Sequence, residues 1–244
     1  DVARVVPGLF VVNQGGRATN QIVVRGLNAN TVNASEALGN NGGNTVQTYI
    51  GEIPLYLDLK PDGIERVEVL MGPQGTLYGA GTLGGAIRYI PMRPQLDATT
   101  FQVRGEAYGL SKSDGVGSDV GFIANLPINE TFAFRGSINY LDDPGFIDYN
   151  YLVREPGVSD PEPDLSNPAD VAANLRRKKD VDDEQTLSGR AALRFKPNEV
   201  FDANLTYYYQ DQENGGRTMD QRVAFDTPKY VSAQRFTEPN DREN

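Results

Sequence analysis

The sequence predicts a small mixed α/β domain followed by antiparallel strands of a transmembrane β-barrel. Three observations carry this. Near residue 95 the hydrophobic texture changes from short apolar runs, broken by Gly and Asn clusters, to strict period-two alternation. The alternating segments are about 9–11 residues long, the length of a tilted membrane strand. The connections between them alternate in length, tight on one side and long and polar on the other, the asymmetry of outer-membrane barrels.

Element by element, Asp1 to Val6 reads as the end of a helix stopped by Pro7-Gly8. The runs Leu9-Phe10-Val11-Val12, Ile22-Val23-Val24, Val46 to Ile50, Val67 to Leu70 and Ala86 to Ile90 are bounded by Gly, Pro and Asn, so they read as short strands. Gly51-Glu52 between Tyr49-Ile50 and Ile53 predicts a II′-type hairpin with Gly first. After Pro94, one face of each segment is apolar. Phe101, Val103, Gly105, Ala107 and Gly109 alternate with Gln102, Arg104, Glu106 and Tyr108, and Val120, Phe122, Ala124 and Leu126 follow. Phe132 to Tyr140, Leu187 to Phe195 and Phe201 to Tyr209 repeat the pattern. Pro127-Ile128-Asn129-Glu130 and Lys196-Pro197-Asn198-Glu199 are the tight turns, whereas 142–184 and the stretch from about 212 are the long loops. Phe132, Phe195 and Phe201 fall by the turns and Tyr140, Tyr207 and Tyr209 by the loops, as two interfacial girdles require. A soluble antiparallel sandwich also alternates, but its strands are usually shorter, about 5–6 residues.

Composition narrows the chemistry. The 244 residues contain no Cys and no His, which excludes Cys/His zinc sites, thiol redox chemistry and His-dependent triads within this stretch. A net charge of −10 argues against a nucleic-acid partner. No apolar run reaches the roughly 18–20 residues of a membrane helix, a test that leaves a barrel untouched. Loop 142–184 carries 12 acidic and 5 basic residues and thus most of the negative excess. It holds one expected helix, capped by Asn167, begun by Pro168 and ending near the basic run Arg176 to Lys179. The carboxylates Asp180, Asp182, Asp183 and Glu184 raise the question of a divalent cation, but a solvated loop is the reading kept. No metal, cofactor or enzymatic activity is expected.

The segment Gly72 to Gly85 contains a formal G-x-G-x-x-G at Gly79, Gly81 and Gly84. A dinucleotide site needs a strand before it and a helix after it, yet here the motif runs into the strand-like Ala86-Ile87-Arg88-Tyr89-Ile90. The whole stretch Ile64-Glu65-Arg66-Val67-Glu68-Val69-Leu70-Met71-Gly72-Pro73-Gln74-Gly75-Thr76-Leu77-Tyr78-Gly79, continuing through Gly84-Gly85-Ala86-Ile87, resembles the plug-domain signature of TonB-dependent outer-membrane receptors. Ile22-Val23-Val24-Arg25-Gly26-Leu27 resembles the family's I-x-I-R-G strand, and Tyr49-Ile50-Gly51-Glu52-Ile53-Pro54-Leu55 its Y-I-D-G-V-P hairpin. The resemblance covers about residues 1–95, and the alternating strands fit the start of the family's barrel.

The resemblance implies a plug domain at 1–95, its N-terminal part missing, and the N-terminal portion of the barrel at 96–244. A plug of about 100 residues is roughly 32 Å across. A wall around it is about 42 Å wide, and tilted strands taking about 6.3 Å each close it with roughly 21 strands, near the ~22 of plugged transporters. Five or six strands cannot close around a plug, so a longer protein is expected. Arg25 is implied to latch the plug to barrel carboxylates. Met71 stands where the family usually has the second latch arginine, and Gly51-Glu52 stands where Asp-Gly is common. Glu65, Arg66, Glu68 and Arg88 join Arg25 as plug structural or latch residues. Ligand is implied to rest on plug apices at 29–44 and 55–62, with Asn30, Asn40, Asn41, Tyr56 and Asp58 as the candidates. Implied partners are a TonB-type periplasmic energy-coupling protein, outer-membrane lipid, a small-molecule ligand such as a metal chelate, and an accessory lipoprotein or subunit. The implied function is import of a scarce ligand, most often a ferric siderophore, across a bacterial outer membrane. The alternatives are carbohydrate or cobalamin import, or a carbohydrate-binding β-protein that transports nothing.

Overall fold

The computed structural model describes residues 6–12, 21–29, 46–55, 59–79, 82–215 and 231–236. In the N-terminal region, β1 (Leu9–Val12), β2 (Gln21–Val24) and β3 (Leu27–Ala29) form a small antiparallel sheet. β4 (Val46–Ile50), β5 (Ile53–Pro54), β6 (Ile64–Met71) and β7 (Gly85–Pro91) form a second sheet in the order β5-β4-β7-β6, with the single helical turn α1 (Gly75–Tyr78) between β6 and β7. Every apolar run of this region read as a strand is one. Among the described strands of this sheet β4 and β7 alone pair in parallel, and β4 is buried at four of its five positions, as a strand covered on both faces must be. Leu9, Val24, Val46 and Ile87 make the core, with Val6, Ile22, Val67, Val69 and Tyr89 packed against it.

Two glycines set this geometry. Gly51 has φ 59° while Glu52 keeps a negative φ, so the β4–β5 hairpin is the expected turn with Gly first. Gly85 has φ 150°, and a Cβ there would lie 2.4 Å from the Leu70 carbonyl oxygen, so β6 and β7 pair only because it has no side chain. The glycine-rich stretch contains α1, where Leu77 and Tyr78 donate to the Gln74 carbonyl at 3.1 and 2.9 Å. One turn is too short to leave any hydrophobic period. The expected helix end lies outside the described residues apart from Val6.

The remaining elements are β8 (Thr100–Gly109), β9 (Val116–Pro127), β10 (Phe132–Asp143), β11 (Asp148–Val153), α2 (Pro168–Asn174), β12 (Leu175–Lys178), β13 (Glu184–Phe195), β14 (Ala203–Asn214) and β15 (Val231–Phe236). β8, β9, β10, β13 and β14 are one meander in the order β14-β13-β10-β9-β8. Connections as short as 128–131 and 196–202 join sheet neighbours only in antiparallel fashion. Each of β9, β10, β13 and β14 has 12 residues, more than the sequence pattern marked. The added residues, such as Asp142-Asp143 in β10, Glu184-Gln185-Thr186 in β13 and Asp211 to Asn214 in β14, lie at the loop ends and are mostly polar, so the ladder outlasts the apolar face that betrays it. β14 starts at Ala203 instead of Phe201 because Val200 and Phe201 donate their N–H groups to Asn198 Oδ1 at 2.9 Å, which keeps them in the turn.

The chain divides into two compact units, one of residues 1–104, 120–139 and 187–211, the other of 105–119, 140–186 and 212–244. In the second, β11 pairs antiparallel with β12 and parallel with β15, so β15 extends this sheet and not the meander. Asn167 caps α2 as expected, accepting from the Ala169 N–H at 3.1 Å. The basic run does not end that helix. Leu175 turns extended at φ −118°, ψ 154°, and Arg176 to Lys178 continue as β12. Ile147, Tyr149 and Val181, with Phe146, give the loop a core of its own. Among the described residues no three carboxylates converge as metal ligands. Asp182 Oδ1 accepts the Phe146 and Ile147 N–H groups at 2.6 Å, Asp180 Oδ2 accepts the Asp114 N–H at 2.9 Å, and Glu184 Oε1 accepts from Thr186 and Gln212 at 2.8 and 3.2 Å.

Candidate functional site

The meander has inverted polarity. Its outward positions are apolar and open, with Val103 at 75%, Leu205 at 74% and Phe122 at 41% exposure, while Asn125 and Asn139 on the other face are at 0 and 1%. A sheet that hides amides and shows Val, Leu and Phe is arranged for a hydrocarbon solvent outside and a polar interior. Phe132, Phe195 and Phe201 cluster beside the tight turns, their rings 4.4 and 5.9 Å apart in sequence, as an interfacial girdle.

Within the first unit, the polar face of this wall grips the N-terminal domain along a seam. The connector that leaves β7 is held by side chains of β9 and β13. Arg190 donates to the Met92 carbonyl at 2.9 Å and Arg194 to the Pro94 carbonyl at 3.1 Å. Asn125 accepts from the Gln95 N–H at 2.9 Å and donates to the Gln95 and Ala98 carbonyls at 3.0 and 2.6 Å. Arg194 also grips Asp202 through two bonds of 2.9 and 2.7 Å, and that hydrogen bonding holds the Asp202 carboxyl below the usual range.

The second part of the seam is the stretch 59–63. Lys60 Nζ donates to Asn139, its N–H donates to Gln210 Oε1 at 2.8 Å, and Asp62 pairs with Arg104. A cavity beside it is lined by Lys60, Asp62, Ser188, Arg190 and Tyr208, and the Arg190 guanidinium lies over the Tyr208 ring at 6.0 Å. Residues 59–62, the end of a stretch read as an apical loop, thus lie against the wall.

The ligand candidates Asn30, Asn40, Asn41, Tyr56 and Asp58 lie outside the described residues. Arg25 stands at the β2–β3 turn with φ 51°, its N–H bonded to the Gly8 carbonyl at 2.8 Å, and among the described residues no carboxylate pairs with it. Glu65, Arg66, Glu68 and Arg88 come together on the sheet of β4–β7. Arg88 stands opposite Glu68 in the β6–β7 register, bonds it at 2.6 Å and also pairs with Glu52, while Arg66 bonds Glu65 and Glu68 at 2.8 Å each. Lys60 and Asp62 fall in the candidate stretch 55–62 but meet the wall, and the wall residues Arg104, Asn125, Asn139, Arg190 and Arg194 are not among the candidates. For Arg104, Asn125, Asn139, Arg190 and Arg194 the signal is the period-two pattern, because polar residues facing inward on membrane strands need polar partners; Lys60 and Asp62 carry no such signal.

Residues 1–86 match the TonB-dependent receptor plug domain family. The chain is similar to the ferric enterobactin receptor PirA of Pseudomonas aeruginosa, 26% identical over 261 residues that span 100% of this chain and 32% of the relative. It is 34% identical over 137 residues to the vitamin B12 transporter BtuB of Vibrio vulnificus, covering 56% of this chain and 20% of that protein. The chain therefore spans about a third or less of these relatives. The ferric yersiniabactin uptake receptor FyuA of Yersinia pestis superposes with a TM-score of 0.59 at 19% identity, over 86% of this chain and 28% of the other, and shares its fold.

Proposed function

We propose that this chain, whose residues 1–86 match the TonB-dependent receptor plug domain, is the plug (1–95) and the first wall strands (from 96) of an active outer-membrane importer of ferric siderophores. The observation that carries this is the seam, a folded domain stitched to the polar face of a sheet whose other face suits lipid. Ligand rests on plug apices at the loop side, among Asn30, Asn40, Asn41, Tyr56 and Asp58. A TonB-type periplasmic protein supplies the pull that rearranges the plug, and Arg25 with the Glu65–Arg66–Glu68–Arg88 group keeps the plug closed until then. The cargo is moved without covalent change, so no catalytic residue is assigned.

The test is uptake of radiolabelled iron from ferric siderophores by cells carrying or lacking the full-length gene, with and without a functional coupling protein. Loss of uptake in both defective strains is the expected result. Unchanged uptake in the receptor deletion would sink the siderophore reading. The similarity to a vitamin B12 transporter favours cobalamin as the second cargo to assay.

A further inference from the structure

The chain carries a net charge of −10, yet in the first unit the plug-facing positions of the wall hold four arginines, Arg104, Arg135, Arg190 and Arg194, and no carboxylate. Arg194 is satisfied by Asp202. Of the other three, Arg104 and Arg190 flank one anion on the plug, Asp62: Arg104 as its ion-pair partner and Arg190 on the wall of the same cavity. Arg104 pairs with Asp62 directly, crossing β9 at Gly121, where a Cβ would crowd the guanidinium at 3.2 Å. Arg190 reaches the plug beside Asp62, where a Cβ on Gly63 would lie 3.6 Å from its Nη1, and Arg135 stands on β10 next to Gly136, which packs against the Arg190 backbone. Arg135 and Arg190 are 6 and 5% exposed, and among the described residues neither has an ion-pair partner of its own.

A buried guanidinium without a counter-ion is costly, and one carboxylate among three does not neutralise them. The donors and acceptors tell the same story. Arg135 Nε, Arg190 Nε and Ser188 Oγ are buried without partners, and so is Asp62 Oδ2. Ser188, Arg190, Asp62 and Lys60 line one cavity. The wall therefore offers more positive charge and more donors than its resident acid uses, and guanidinium forks bind oxygen-rich anions in bidentate fashion.

We propose that Asp62 is a resident stand-in for cargo: its carboxylate occupies an oxyanion station built on the wall by Arg104, Arg135 and Arg190, and an anionic, oxygen-rich group of the cargo takes that station when residues 59–63 withdraw. The idea rests on the importer reading and narrows it to cargo of negative charge, such as carboxylate or catecholate metal chelates. Uncharged chelates gain nothing from the station.

The station itself is tested without transport. In the full-length receptor in detergent, Asp62→Ala lowers the melting temperature by roughly 5 °C. Millimolar citrate, an oxygen-rich polyanion, restores at least half of that loss. Citrate leaves the wild type unchanged, and Asp62→Ala combined with Arg135→Gln does not respond. Equal stabilisation of all variants by citrate, or none of Asp62→Ala, overturns the proposal. Asp62→Asn is read the same way if the alanine variant does not fold.

A second arm concerns passage. Arg135→Gln cells bind a ferric tris-catecholate as wild type does but import it at least tenfold more slowly. A matched loss of binding and uptake makes Arg135 merely structural and overturns its role. Wild-type cells that import no ferric chelate remove the importer reading, and the citrate result then decides the station alone.

Discussion

The plug and the wall are built from the same residue types with opposite placement. In the plug, Leu9, Val24, Val46 and Ile87 are at most 3% exposed, and Arg66 with its two glutamates lies on the surface. In the wall, Asn125, Asn139, Arg135 and Arg190 are hidden and Val, Leu, Phe and Tyr are shown. The hydrophobic effect is unchanged between them, but the solvent is not. For the plug the alternative to burial is water, so apolar area goes inside. For the wall's outer face the alternative is hydrocarbon, where an apolar side chain loses nothing and an unpaired polar group is intolerable. Counting exposed apolar area as a penalty would misjudge the wall entirely.

The comparison breaks most visibly at Gly85. Gly85→Val places a Cβ against the Leu70 carbonyl and forces the β6–β7 pair apart. The expected loss exceeds about 4 kcal/mol, enough to leave the plug unfolded inside an intact wall. Limited proteolysis of the full-length receptor checks this, and a plug that stays protease-resistant would mean the pair has room to spare.

Phe122→Arg asks which solvent the wall faces. In the middle of β9 on the outer face, beside Phe101 at 6.3 Å, the arginine costs about 2–4 kcal/mol in a bilayer. The same change on a water-exposed face stays within about 0.5 kcal/mol. Urea unfolding in lipid vesicles measures the difference, and the smaller value would turn the wall into an ordinary sheet.

A smaller effect belongs to the ion cluster of the plug. Arg88→Ala leaves Glu68 half-buried without its 2.6 Å partner, at a cost of about 1–3 kcal/mol. Arg88→Met with Glu68→Gln, which removes both charges, recovers most of that loss if the cost comes from the Glu68 oxygen that Arg88 held, the other staying with Arg66. The measurement is plug unfolding by denaturant for the single and double variants.

How much of this the residues announce depends on which solvent they answer. Apolar runs such as Val46 to Ile50 mark plug strands because burial needs them. The alternation of Phe132 to Tyr140 marks a wall strand because lipid needs it. Where neither applies, the pattern is silent. The polar ends of β10 and β14 continue the backbone ladder with residues a loop would also use, and β12 takes a basic run that also suits a helix terminus. The seam was half legible. Arg104, Arg135, Arg190 and Arg194 are assigned to the inward face by period two, but nothing in the spacing says that Asp62, far away in sequence, is the anion that Arg104 meets. That pairing exists only once the plug is folded inside the wall.

The loop unit sharpens the comparison in a third setting, because its small core of Ile147, Tyr149 and Val181 has the polarity of the plug while carrying a buried acid. Asp182 is 8% exposed, and burial pushes its carboxyl above the usual range although the Ile147 and Phe146 N–H groups pull it down. The folded-state pKa is therefore higher than the unfolded one, and the folded loop binds this proton more tightly. Its contribution makes the loop less stable at neutral pH and more stable as pH falls through the raised pKa, levelling off below the unfolded carboxylate value of about 3.9. This is opposite in sign to the Arg194-bound Asp202, whose lowered pKa stabilises above the unfolded value and is lost on acidification. Asp182→Asn keeps an oxygen for both N–H groups and removes the charge, so it abolishes that rise with an effect of at most about 1 kcal/mol. Amide exchange at Phe146 and Ile147 between neutral and mildly acidic pH reads it directly. Protection that rises on acidification in the wild type and stays flat in Asp182→Asn is the expected pair, and the same slope in both would take the pH dependence away from Asp182.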